Sequence, residues 1–448
     1  MLIQCTLILS LITVASAPAR NRLSWDAKQG RVSADISGES LMPVLEQIAR
    51  DTGWQVFVEP DTVQDISAKF KDLPPGEALR LLLGSLNFAL LPISGEMRLY
   101  VFRTDRQNAT RHVRPSPIPE TRGIRLIANE LIIRLKPGAN IDEIAKALGA
   151  KVVARLDKQN LYRLRFEDAA SAEAAKSTLA SNTEVGSVEN NYGIERPGGG
   201  RPVLSTSATP PSLQLKPPPD TGGVIVGLID TGVQSLGSDL DKFVLKQLSV
   251  AGESQLDPSV PSHGTSMLAT LLSGLAASSG DGSSSVRVLP VDVYGRSGAT
   301  TTFQVAEGIV QAINSGANVI NMSLGSEAHS PFLAEIIREA SRNNITFIGA
   351  AGNQPVTTPY YPAAFPEVVA VTAVDHGEIA PYANRGSFVS VGAPGTSVVF
   401  YNGSGYYVVG TSSAAAFTSG LAASHIERTG ASSRETSAFL KQTMPVSK

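Results

Sequence analysis

Between residues 223 and 448, near-continuous Val- and Ile-rich runs at 224–229, 286–293, 319–322, 346–348, 368–374 and 388–391 alternate with stretches of helical spacing. A strand that is apolar at consecutive positions, rather than at every second one, has to be covered on both faces. Strands of this kind separated by helices are buried by forming a parallel sheet with helices packed on each side. The prediction for residues 221–448 is an α/β domain, its mainly parallel sheet covered by helices on both faces. Open sheets of this type bind ligands at the carboxyl ends of their strands. Function is therefore to be sought in the residues that directly follow each run.

The first run ends in Asp230-Thr-Gly-Val. An aspartate there serves equally well as a helix cap. His263-Gly-Thr opens a helix of small residues, among them Ser266, Ala269, Thr270 and Gly274. A lone histidine is more often structural, but of His112, His263, His329, His376 and His425 only His263 stands at a Gly-flanked helix start in this domain. Gly410-Thr-Ser412-Ser-Ala-Ala-Ala places a serine after a strand at 406–409 and at the mouth of an Ala-rich helix, whose first N–H groups face outward. Each short motif is common alone. The ordered set is not.

Taken together, these residues resemble the subtilisin-like serine peptidases, the subtilases, whose acid, base and nucleophile follow in the chain order Asp230, His263, Ser412. Val319-Ile-Asn-Met-Ser-Leu-Gly325 is similar to that family's substrate-binding strand, and Gly349-Ala-Ala-Gly-Asn353 to its oxyanion-asparagine segment. The resemblance covers residues 223–444. It implies that His263 takes the proton of Ser412 during attack, that Asp230 orients the imidazole, and that Asn353 and the Ser412 N–H hold the oxyanion. It further implies that Ser323, Leu324 and Gly325 bind polypeptide substrates as an added strand, a mode tolerant of side chains and hence broad in specificity. Three departures, Ser266 for a usual histidine, Ser413 for a common methionine and Ala416-Phe417 for Pro-His, bear on helix packing. No Gly-x-Ser-x-Gly surrounds Ser412, which disfavours an esterase. A catalytically degenerate scaffold acting as an envelope interaction protein is the alternative from another class. No cofactor is required by this chemistry. Structural calcium is common in the family, but no oxygen-ligand spacing like an EF-hand loop occurs, so no metal is assigned.

Two small α+β domains are predicted upstream. Residues 123–195 follow a β-α-β-β-α-β order that by itself fits any ferredoxin-like domain. Its position, with Asn129-Glu-Leu-Ile-Ile-Arg-Leu-Lys-Pro-Gly and Val188-Glu-Asn-Asn-Tyr192, is similar to the subtilase propeptide. That implies a zymogen whose own propeptide is an intramolecular inhibitor. Residues 1–219 hold 27 basic and 23 acidic side chains and residues 220–448 hold 11 and 17, a weak complementarity of +4 against −6. Residues 20–105 show two strand-helix-strand cycles and Lys69-Phe-Lys-Asp-Leu-Pro-Pro-Gly-Glu-Ala-Leu, which resembles the short N-terminal domain of secretins and TonB-dependent receptors. It implies a module for a cell-envelope protein partner. Linkers are expected at 106–122 and at the Pro/Gly-rich 196–220.

Residues 1–19 read as a signal peptide, apolar at 7–14 with small residues at Ala15, Ala17 and Ala19. No Lys or Arg precedes the apolar run, so a buried N-terminal strand is the alternative. The expected location is extracytoplasmic, periplasmic or secreted. Cys5 is the sole cysteine, which excludes an intramolecular disulfide and a Cys-ligated zinc site. No stretch beyond the signal is apolar enough for a transmembrane segment. With a net charge of −2 and no basic run, nucleic acid is not an expected partner.

Overall fold

The computed structural model describes residues 22–26, 31–93, 96–113, 124–198, 201–202, 213, 215–216 and 223–446. The signal segment expected at 1–19, residues 114–122 and most of 199–222 lie outside the described residues. Two compact units are present, Met1–Arg122 and Gly123–Lys448.

In the first unit, strands Arg22–Asp26, Arg31–Ser40 and Asp65–Leu73 form an antiparallel sheet. A second sheet has the order Asn87–Ile93, Glu96–Phe102, Gln55–Val58, Arg111–Val113. Helix Leu41–Thr52 forms because Leu41, Val44, Leu45 and Ile48 fall on one face, all of them buried. Helix Pro75–Leu83 starts on a proline, whose missing N–H is harmless there, and buries Ala78, Leu79, Leu82 and Leu83. The linker expected from 106 begins later. Residues 111–113 pair antiparallel with 56–58, and Val113 is buried. Three residues, two of them charged or polar, carry too little pattern to show as a strand.

In the second unit, residues 124–195 build a sheet whose order is Ala299–Thr301, Val185–Glu195, Arg125–Leu135, Leu161–Arg165, Lys151–Leu156. Helices Ile141–Ala147 and Ala169–Ala180 supply Ile141, Ile144, Ala172 and Leu179 to its core. Asp168 caps the second helix by accepting from the Ser171 N–H at 2.7 Å. The last strand spans Val185–Glu195. It continues to 195 because its outer edge is paired by Ala299–Thr301 of the downstream α/β fold, with Gly193 opposite Thr301 and Glu195 opposite Ala299.

The downstream sheet is parallel through Leu248–Ser249, Arg287–Asp292, Ile225–Asp230, Val319–Met322, Thr346–Ala350 and Val368–Asp375, with Val391–Pro394 parallel beside the last of these. Helices cover both faces, as the apolar runs require. On one face lie His263–Ser278 and Thr411–Thr429, packed with Met267, Leu271, Ala415 and Ala422. On the other lie Thr302–Asn314 and Pro331–Arg342, packed with Phe303, Ile309, Phe332 and Ile337.

The first pair of helices approaches backbone to backbone. A Cβ on Gly274 would lie 2.1 Å from the Phe417 carbonyl oxygen, and one on Gly420 2.1 Å from that of Leu271. Only glycine fits at either place, and this contact draws the helices' amino ends, which carry His263 and Ser412, to one end of the sheet. The 196–220 segment is not wholly free of the fold. Arg201–Pro202 pairs with Tyr406 and Tyr407, and Lys216 N–H donates to the Gly282 carbonyl at 2.8 Å.

Candidate active site

Asp230 is the last residue of strand Ile225–Asp230 and is fully buried. His263 begins its helix, whose N-cap Ser262 accepts from the Thr265 N–H at 3.0 Å. His263 Nδ1 lies 2.8 Å from Asp230 Oδ1 and 2.9 Å from Oδ2. A proton on Nδ1 is thereby shared by both carboxylate oxygens, which leaves Nε2 as the acceptor. The pair is tied down twice more. The Thr231 N–H donates to Asp230 Oδ1 at 2.6 Å, and the Gly264 N–H donates to Thr231 Oγ1 at 2.8 Å.

Ser412 occupies the first turn of helix Thr411–Thr429 and is half-buried. Its hydroxyl donates to the Ser323 carbonyl at 3.2 Å; among the described residues it makes no hydrogen bond to His263. Ser323 is in turn linked to the serine segment, its own hydroxyl lying 3.1 Å from the Ser412 carbonyl and 3.0 Å from Asn321 Oδ1. Ser323, Leu324 and Gly325 directly follow strand Val319–Met322 and are buried.

Asn353 is exposed on the loop after strand Thr346–Ala350. Its Oδ1 accepts from the Thr411 N–H at 2.8 Å and from Thr411 Oγ1 at 3.0 Å. Anchoring the oxygen turns Nδ2, the donor end, toward Gly410, where it lies 2.9 Å from the place a Cβ would take. Thr411 is thus a positioning residue that sequence reasoning passed over. Its signal was there, as the neighbour of Ser412 in the quoted motif.

Two side chains of the upstream domain reach the starts of helices in this fold. Glu189 accepts from Ser330 Oγ at 2.6 Å and from the Phe332 N–H at 3.1 Å, both at the start of helix Pro331–Arg342. Asn191 Oδ1 accepts from Thr302 Oγ1 at 3.1 Å and from the Phe303 N–H at 3.3 Å, at the start of helix Thr302–Asn314. Each fills a donor that a helix cannot satisfy by itself. Asn191 Nδ2 donates to Glu130 at 2.7 Å, and Glu130 is paired with Arg165 at 2.9 Å. Burial raises the Glu189 carboxyl to about 7, outweighing the Ser330 and Phe332 hydrogen bonds and the charges of Arg134 and Lys176. Both residues lie in the Val188–Tyr192 motif, but their partners are more than a hundred residues away and invisible to a local reading. Among the described residues, no three or more His, Cys, Asp or Glu side chains converge as metal ligands, and no helix is long and apolar enough to cross a membrane.

A buried carboxylate-imidazole pair and a hydroxyl at a helix start, gathered at the carboxyl ends of parallel strands with an amide beside them, place the protein in the class of serine-type peptide hydrolases. Residues 221–447 match the Subtilase family, and the chain belongs to it. Residues 114–191 match the Fervidolysin N-terminal prodomain. The Thermophilic serine proteinase of Bacillus sp. (strain AK1) is 29% identical over 326 residues, 66% of this chain and 77% of that protein. Subtilisin DY of Bacillus licheniformis is 36% identical over 214 residues, 45% of this chain and 75% of that protein. Fervidolysin of Fervidobacterium pennivorans is 24% identical over 316 residues, which are 60% of this chain but only 45% of fervidolysin. The crystal structure of fervidolysin superposes with a TM-score of 0.57 at 21% identity, over 73% of this chain and 58% of that one, a likeness of fold.

Proposed function

We propose that the protein is a serine endopeptidase made as a zymogen, with Asp230, His263 and Ser412 as its triad. The observation that carries this reading is the doubly hydrogen-bonded Asp230–His263 pair, buried at the start of a helix that packs against the helix of Ser412. In the acylation step the Ser412 hydroxyl exchanges the Ser323 carbonyl for His263 Nε2, which takes its proton as Oγ attacks the substrate carbonyl. Asp230 holds the imidazole in the required tautomer and stabilises its protonated form. The oxyanion is received by Asn353 Nδ2 and the Ser412 N–H, while Ser323, Leu324 and Gly325 bind the polypeptide backbone. His263 then returns the proton to the leaving amine, and water repeats the sequence on the acyl-enzyme.

The prodomain acts as an intramolecular inhibitor. Its last strand lies along Ala299–Thr301, and the Arg196 N–H donates to the Gly298 carbonyl at 2.8 Å, which continues the contact along that edge to Arg196. Self-cleavage falls between Tyr192 and Leu215. The reading places the protein outside the cytoplasm, periplasmic or secreted, with residues 1–19 as signal peptide. The N-terminal unit, through its resemblance to the secretin and TonB short domain, docks to a cell-envelope protein. No cofactor or metal has a role in this mechanism.

Fluorophosphonate labelling of the purified full chain tests the reading. Labelling that Ser412→Ala removes is expected. Absence of labelling and of caseinolysis in a folded protein would instead favour the degenerate scaffold.

A further inference from the structure

If Ser412 is the nucleophile, the substrate residue that donates the scissile carbonyl has its place fixed on three sides. Its carbonyl carbon sits at Ser412 Oγ, its oxygen turns to Asn353, and its backbone lies along Ser323–Gly325. Its side chain must then enter the gap between the segment at 323–325 and the segment at 351–353.

Tyr360 already stands in that gap. Its ring atoms Cε1 and Cδ1 lie 2.6 and 2.9 Å from where a Cβ on Gly325 would be, and Cγ lies 3.2 Å from the corresponding point on Gly352. The ring therefore reaches from one wall to the other, and both walls are glycine where it touches them. Its hydroxyl donates to the Gly325 carbonyl at 2.6 Å. The backbone beneath is held by a reciprocal pair, Ser326 N–H to the Tyr361 carbonyl at 2.8 Å and Tyr361 N–H to the Ser326 carbonyl at 2.7 Å. Tyr361 is braced by Phe365 and His329, with ring centroids 4.8 and 4.9 Å away. Moving the ring aside would break a half-buried hydrogen bond and disturb a braced segment.

We propose that Tyr360 restricts this peptidase to substrates with a small residue, glycine or alanine, on the amino side of the scissile bond. This rests on the triad reading above, and it narrows the broad specificity that a backbone-binding strand alone implies. The strand tolerates any side chain along most of its length; the closed gap does not.

The test uses matured enzyme and a series of otherwise identical peptides carrying Gly, Ala, Leu or Phe at that position, with active enzyme counted by fluorophosphonate labelling. Wild type is expected to give kcat/KM for Ala at least about 100-fold above Phe, because a filled pocket rejects added volume strongly. Tyr360→Ala should raise the Phe-to-Ala ratio by about 100-fold. Tyr360→Phe keeps the ring without the hydroxyl and should retain the preference for small residues, which assigns the effect to volume. Wild-type cleavage of Phe or Leu peptides as fast as Ala overturns the proposal, as does an unchanged ratio in a labelled Tyr360→Ala enzyme. If Ser412 is never labelled, the functional reading fails and this inference falls with it. Labelled but indiscriminate enzyme defeats this inference alone. Should Tyr360→Ala not fold, the wild-type profile and Tyr360→Phe still decide.

Discussion

The two faces of the parallel sheet are closed in different ways. On the face that carries His263 and Ser412, the helices meet backbone to backbone through Gly274 and Gly420. On the opposite face, the helices beginning at Thr302 and Pro331 have their own caps. Thr301 accepts from the Gln304 N–H at 3.2 Å, and Ser330 from the Leu333 N–H at 3.4 Å. The remaining first-turn donors at Phe303 and Phe332 go to Asn191 and Glu189 of the prodomain. The helix starts of this second face are completed by a segment that self-cleavage would release. The prodomain's Glu189 and Asn191 thus serve helix starts on this face and, among the described residues, make no hydrogen bond to Asp230 or His263.

The comparison can be broken most severely at the face of His263 and Ser412. Ser412→Ala should lower turnover by about 10⁶-fold, as loss of a triad nucleophile does, and should accumulate uncut precursor. Casein hydrolysis and N-terminal sequencing check both, and a precursor processed at the normal rate would defeat the assignment. Next comes Asn353→Ala, expected to cost about 10²–10³ in kcat with little change in KM, because its donor is needed once charge develops on oxygen. Steady-state kinetics separate the two constants.

Packing comes next in size. Gly420→Ala forces a methyl against the Leu271 carbonyl, and an overpacked contact of this kind should destabilise the catalytic fold by about 3 kcal/mol. Thermal unfolding of the Ser412→Ala background would show it free of self-cleavage.

The prodomain-dependent face should respond to pH instead. Glu189 has its carboxyl raised to about 7 by burial in the folded chain, against an ordinary 4.5 when released. Between those values the docked state holds a proton that the released state has lost. The contribution of Glu189 is therefore fully present below about 4.5 and is lost as pH rises through about 7. Prodomain retention in Ser412→Ala precursor nicked in the 196–220 linker should weaken by one to two orders of magnitude, roughly, across that window. Glu189→Gln, which cannot titrate, should flatten the slope. An equal slope in the variant would assign the pH dependence elsewhere.

Reading the chain by its apolar runs located most strands of the catalytic sheet, since burial on both faces leaves a local signature. The run at 388–391 was displaced, the strand being Val391–Pro394, where the preceding residues instead bend toward Ala370 through the Ser390 N–H. Helices with i, i+3, i+4 patterns, such as Leu41–Thr52, were equally legible. The short strand at Arg111–Val113 was not, because its reason for existing is the free edge of Gln55–Val58.

What the sequence determined by itself was the doubly covered α/β architecture, the order Asp230, His263, Ser412, and the presence of Asn353 and Ser323–Gly325 after successive strands. Those are properties of neighbouring residues, and local burial and turn chemistry suffice to express them. The tertiary structure alone decided that Thr411 turns the Asn353 amide, that Glu189 and Asn191 complete helices 141 and 111 residues downstream, and that Tyr360 fills the space between Gly325 and Gly352. Each of these depends on two segments that are distant in the chain reaching the same few ångströms, and such contacts exist only once the sheet has brought its strand ends to one edge.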